Sequence, residues 1–91
     1  MEWKLFADLA ELAGDRTVTV AADPGDTVED ALDALLAERP DLRNRVLEDG
    51  DLADHINLLR NGRNVLHQDG LATELEDGDE LALFPPVSGG S

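Results

Sequence analysis

The last eight residues, Phe84-Pro85-Pro86-Val87-Ser88-Gly89-Gly90-Ser91, hold the groups best suited to chemistry in this chain. Pro85 and Pro86 fix their backbone angles and donate no hydrogen bond, so a strand that reaches them must end and leave the sheet extended. Gly89 and Gly90 have no side chains, and their backbone can enter a narrow channel and approach a reactive centre closely. A carboxylate on Gly90 would be unhindered. The chemistry this suggests is activation by ATP to an acyl adenylate, which a thiol, a sulfide or an amine then attacks. A flexible Gly-Ser end, of linker or cloning origin, is the plainer reading of the same residues. The strand and double proline before the glycines are what weigh against it.

The other candidates for chemistry are few. His55 and His67 are twelve residues apart and there is no cysteine, so no zinc-type spacing and no thiol nucleophile exist. No glycine-rich loop opens a helix, and no serine sits in an elbow motif. Paired-carboxylate catalysis needs a cleft, which 91 residues hardly supply. The chain therefore reads as no enzyme in its own right, with no bound cofactor and no metal.

Twenty-one acidic residues against seven basic ones give a net charge of −14. Such a surface repels phosphate and excludes nucleic acid as a partner. The carboxylates are spread along the chain and Lys4 is the single lysine. This is the pattern of adaptation to high salt rather than of one acidic contact face, and it implies lower stability where charge is unscreened. No signal peptide and no apolar run able to span a bilayer are visible, so a cytoplasmic location and no membrane partner are expected.

The elements that must position the tail can be read from periodicity. Met1 to Ala7 alternates, with Trp3 and Leu5 on one face and Glu2, Lys4 and Phe6 on the other, as in a half-buried strand. Asp8 to Ala13 is a short helical turn ended by Gly14. Arg16 to Ala21 is a second strand, and Pro24-Gly25-Asp26 a turn. Thr27 is placed to cap a helix whose stripe is Val28, Ala31, Leu32, Leu35 and Leu36, with Pro40 as its stop. A weaker helical stretch covers Asp41 to Leu47, and Glu48 to Asp54 reads as loop. His55 to Arg60 is a strand, Asn61-Gly62 a tight hairpin turn, and Arg63 to Leu66 the return. Leu71 to Asp77 is irregular, Gly78 a turn, and Asp79 to Phe84 the last strand.

Two strands, one main helix and three short strands describe an α+β roll: a mixed sheet of four to five strands with one helix on one face, the β-grasp or ubiquitin-like arrangement. The first and last strands would be central neighbours. The expected units are a domain over 1–86 and a flexible diglycine tail over 87–91. If Trp3, Leu5, Leu81 and Leu83 face the helix, then Phe6 and Phe84, the only phenylalanines, point to the outer face. Leu59 joins them if Ile56 and Leu58 face inward. Such a patch at the root of the tail is a candidate docking surface, the plainer alternative being that the rings only cover the sheet edge.

Asp77 to Gly90 (DGDELALFPPVSGG), Trp3 to Gly14 (WKLFADLAELAG), Thr27 to Leu36 (TVEDALDALL) and His55 to Gly62 (HINLLRNG) together resemble the small archaeal modifier proteins of the ubiquitin-like MoaD/ThiS family, haloarchaeal type. The resemblance covers nearly the whole chain. It implies a β-grasp fold and a C-terminal glycine adenylated, at the expense of ATP, by a ubiquitin-activating-type enzyme. The product would be an isopeptide bond to a lysine of a target protein. The alternative is a thiocarboxylate, which makes the chain a sulfur carrier and a partner of the molybdopterin synthase large subunit. A noncovalent interaction module is the third reading. By position, Gly89 and Gly90 are the reactive tail, and Phe6 and Phe84 match hydrophobic contact positions. The family pattern ends at the second glycine, so Ser91 is either removed first, as a JAMM-type metalloprotease could do, or not native. Because isopeptide bonding needs a primary amine, self-linkage is expected at Lys4 or at the N-terminal amine.

Overall fold

A computed structural model describes residues 1–53 and 55–85. The first strand, β1 (Glu2–Leu5), is followed by α1 (Asp8–Ala13), which ends on Gly14 at φ 82. β2 (Thr17–Thr19) returns antiparallel to β1, pairing Trp3 with Val18. The main helix, α2 (Val28–Glu38), starts at a reciprocal cap. Thr27 Oγ1 accepts from the Asp30 N–H at 3.3 Å, and Asp30 Oδ2 accepts from the Thr27 N–H at 2.9 Å. Two of the donors that a helix start leaves without partners are met in this way.

After α2, Pro40–Leu42 forms a 3₁₀ turn that leads into α3 (Arg43–Val46). Within the stretch read from sequence as loop, Glu48 to Asp54, the chain instead forms a small hairpin of β3 (Leu47–Glu48) and β4 (Asp51–Leu52), while Asp54 lies outside the described residues. Asp49 and Gly50, at φ 54 and 87, make its turn. An Asp-Gly pair is the favoured turn for such a hairpin. Its flanking strands have only two residues each, too few to show alternation. β5 (Asn57–Arg60) and β6 (Arg63–Asn64) are joined by Asn61-Gly62 at φ 53 and 83, as the sequence requires of a tight hairpin. Val65–His67 departs from the expected strand return as a 3₁₀ turn. The last strand is β7 (Glu80–Phe84).

The main sheet has the order β2-β1-β7-β5-β6, with β1 and β7 parallel at its centre. The stretch from Thr73 to Leu75 forms no strand, yet its backbone is paired. The Thr73 carbonyl accepts from Val28 N–H, and Leu75 N–H donates to Asp26 at 2.7 Å, which stitches the start of α2 to the chain entering β7.

The core lies between the sheet and α2. Val18, Val20, Leu32, Leu35, Ile56, Leu81 and Leu83 are all buried, as their spacing predicts. Trp3 is fully enclosed, and its indole Nε1–H donates to the Ala31 carbonyl at 3.1 Å. That bond satisfies the one polar atom of a ring otherwise wholly in apolar surroundings. No helix among the described residues is long and apolar enough to cross a membrane.

Candidate functional site

The parallel pairing of β1 and β7 sets Leu5 opposite Leu83 and Lys4 opposite Ala82. One residue further on, Phe6 and Phe84 stand level on the outer face. Their rings stack with centroids 4.2 Å apart and planes 9° from parallel. Phe6 is 39% exposed. The stack is therefore a partly open surface and not a second core.

The backbone at the next residue holds Phe6 in this position. Ala7 takes φ 54 and ψ −132, a backbone state that favours glycine, and turns the chain off the sheet into α1. The Phe6 carbonyl then accepts from Leu9 N–H at 3.2 Å. An ion pair between Asp8 and Arg45 ties the start of α1 to α3.

On β5, Leu59 faces Ala82 and Asn57 faces Phe84. Ile56 and Leu58 are buried, which leaves Leu59 half-buried on the outer face. The structure thus brings Phe6, Phe84 and Leu59 together on one surface, and adds Ala82 between them. Ala82 was legible as an outer residue of the last strand, but its small side chain gave no signal of contact. Lys4 stands on the same face. Its Nζ pairs with Glu80 at 3.2 Å across the two central strands, and about half of each side chain remains exposed.

Beside this surface an open groove runs between β1, α1 and β2, lined by Lys4, Phe6, Asp8, Glu11, Arg16 and Thr17. The groove did not show in the sequence, since it depends on how α1 packs. Of the predicted site residues, Gly89, Gly90 and Ser91 lie outside the described residues, as does the boundary proposed at residue 86.

The opposite end of β7 is closed by a polar clasp that the sequence reading missed. Asp79, only 9% exposed, accepts from Arg60 Nε at 2.7 Å, from Asn61 Nδ2 at 2.8 Å and from Glu76 N–H at 2.7 Å. Asn61 Oδ1 accepts in turn from Glu80 N–H at 3.0 Å. Burial by itself would raise the Asp79 pKa. The Glu76 amide, the Arg60 and Asn61 hydrogen bonds and the Arg60 charge outweigh it, and the carboxyl lies below its ordinary range. The clasp locks the β5–β6 turn onto the start of β7, where β5 and β7 pair in the register that sets Leu59 opposite Ala82 and Asn57 opposite Phe84. Among the described residues, no group of three or more His, Cys, Asp or Glu could hold a metal ion.

Comparison with known proteins places this geometry. The sequence model of the ThiS family matches residues 3–90. Small archaeal modifier protein 1 of Haloferax volcanii is 60% identical over 91 residues, which covers 99% of this chain and 100% of that protein. A crystal structure of H. volcanii small archaeal modifier protein 1 superposes with a TM-score of 0.86 at 59% identity, covering 96% of this chain and 97% of the other. The molybdopterin synthase sulfur carrier subunit of Escherichia coli is 41% identical over 85 residues, 93% of this chain and 93% of that one.

Proposed function

The chain belongs to the ThiS family, and from that membership we propose that it is a ubiquitin-like protein modifier, a carrier worked on by enzymes and not an enzyme itself. In this reading the Gly90 carboxylate attacks the α-phosphate of ATP in the site of a ubiquitin-activating-type enzyme. Pyrophosphate leaves and an acyl adenylate forms. The amine of a lysine on a target protein then attacks the Gly90 carbonyl carbon, an isopeptide bond forms and AMP departs. ATP belongs to the activating enzyme, and this chain binds no cofactor of its own.

One observation carries the reading. The last strand is central in the sheet, and it ends beside the stacked, partly exposed Phe6–Phe84 pair. The residues beyond Pro85 thus begin at the edge of an apolar surface. An activating enzyme that grips Phe6, Phe84 and Leu59 has the reactive end within reach of its nucleotide. Aromatic anchors in such a surface supply binding energy out of proportion to their number. Gly89 and Gly90 pass through a channel too narrow for side chains. Ser91 is removed beforehand by a protease of the JAMM metalloprotease type. The setting is the cytoplasm, where ATP and the targets are found.

A second reading is favoured by the likeness to a sulfur carrier subunit. There a sulfide attacks the Gly90 carbonyl carbon of the same adenylate, the C–O bond breaks and AMP leaves. The product is a Gly90 thiocarboxylate, and the large subunit of molybdopterin synthase is the partner that takes the sulfur. Both readings pass through one intermediate and one docking surface. The test is ATP–pyrophosphate exchange with the cognate activating enzyme, using a chain that ends at Gly90. Mass spectrometry of the tagged chain from its native cell then separates the products. Glycine-remnant branches on lysines mark the modifier, and a terminal thiocarboxylate marks the carrier. No exchange and no adduct of either kind would leave only a noncovalent module.

A further inference from the structure

The only lysine in the chain lies inside the surface used for docking in the proposed function. Lys4 and Phe6 are two residues apart on one face of the same chain segment, about 7 Å along a strand. Ala82 and Phe84 lie beside them on the paired strand, about 5 Å away. Leu59 extends the row of Lys4 and Ala82 by one more strand. An interface of ordinary size covers about 800 Å² on each partner, so these side chains fall within a single footprint. The Lys4 side chain is 44% exposed, and its ammonium is paired across β1 and β7 with Glu80. It is both reachable and fixed over the surface.

We propose that Lys4 is a modification site whose acylation by Gly90 of a second copy closes the outer sheet face, so that a chain carrying another on Lys4 cannot be activated in its turn. The chemistry is that of the proposed function. Lys4 Nζ first loses a proton to solvent. Its lone pair forms the N–C bond to the carbonyl carbon of the second copy's acyl adenylate, and the C–O bond to the adenylate breaks. AMP leaves with that electron pair, and the remaining excess proton on nitrogen passes to solvent. The arginines cannot substitute, since a guanidinium stays protonated and is no nucleophile. The ammonium charge that paired with Glu80 is lost, and a whole folded domain now stands over Phe6, Phe84 and Leu59. Self-linkage through Lys4 then gives chains whose proximal copy cannot be activated and so cannot be passed on to a target.

Because the chain has no cysteine, a single thiol can address each position. Lys4→Cys in a chain ending at Gly90 is joined by a bismaleimide to a second copy carrying Ser91→Cys. The reference is the same variant capped with iodoacetamide. A parallel pair uses Asp33→Cys, on the exposed side of α2 and away from the sheet. The readout is ATP–pyrophosphate exchange with the cognate activating enzyme. Linkage at position 4 is expected to lower exchange at least tenfold relative to its capped reference, and linkage at position 33 by less than twofold. Equal exchange in the linked and capped Lys4→Cys chains overturns the proposal and leaves the proposed function intact. An equal loss at both positions also overturns it, because the bulk then acts without regard to place. No exchange by the unmodified chain ending at Gly90 removes the proposed function, and this inference with it.

Discussion

Replacing Phe84 by alanine separates the two roles that its position gives it. In the folded chain the ring stacks on Phe6 at 4.2 Å and is only half-buried. The stack itself is worth about 0.5–1.5 kcal/mol. Loss of a fully buried phenylalanine costs about 3–5 kcal/mol, so a half-buried one should cost roughly half that. The expected destabilisation is about 1.5–3 kcal/mol against a total of about 5–13 kcal/mol for a domain of this length. The variant should fold. Docking should suffer more in proportion, since an aromatic anchor at an interface contributes about 2 kcal/mol or more, which is about a thirtyfold weaker Kd. Calorimetric titration into the cognate activating enzyme measures the second effect. Urea unfolding followed by the fluorescence of Trp3, the one tryptophan and fully enclosed, measures the first. Phe6→Ala removes the same stack from the other side, and the double variant isolates the coupling of the two rings. Binding within threefold of the parent by a fully folded Phe84→Ala chain refutes the assignment of the outer sheet face as the docking surface.

Leu35→Ala, which empties a fully buried position on α2, should cost about 2.7–5 kcal/mol and shift the urea midpoint without changing the slope; a loss below about 1 kcal/mol would contradict a core closed between the sheet and α2. The pKa of Asp79 is lowered on folding, so its contribution is whole above the ordinary carboxylate value of about 3.9 and fades as pH falls through the lower folded value. Asp79→Asn should therefore destabilise the chain at neutral pH by about 2–3 kcal/mol and flatten the fall in stability below about pH 4, as read from melts across pH. Ala7→Gly relieves a backbone state that favours glycine and should raise stability by up to about 1 kcal/mol, seen as a higher Tm. Deleting Gly89, Gly90 and Ser91 should abolish pyrophosphate exchange and every covalent adduct while the Trp3 unfolding curve stays unchanged; adducts surviving the deletion would remove the tail from the chemistry.

The two-residue period of β1 and β7 was enough to put Trp3, Leu5, Leu81 and Leu83 inward and Phe6 and Phe84 outward, because alternation in a strand is a local property of the backbone. The same holds for the α2 stripe, its Thr27 cap and the Asn61-Gly62 turn. The Gly89-Gly90 pair, proposed above as the reactive end, needs no fold to be noticed, since the absence of side chains is a matter of residue type alone. Tertiary structure alone decided what lies beside what. Parallel pairing of β1 with β7 joins residues more than seventy positions apart, and only that register turns two separate phenylalanines into a stack and sets Lys4 beside Ala82. The Asp79 clasp was hidden for the same reason. Among 21 acidic residues no local pattern marks the one that packing encloses, and its partners Arg60 and Asn61 come from another strand and its turn. A chain states which groups it has and which way each will face, while the distances between groups far apart in sequence are set only when the core closes around them.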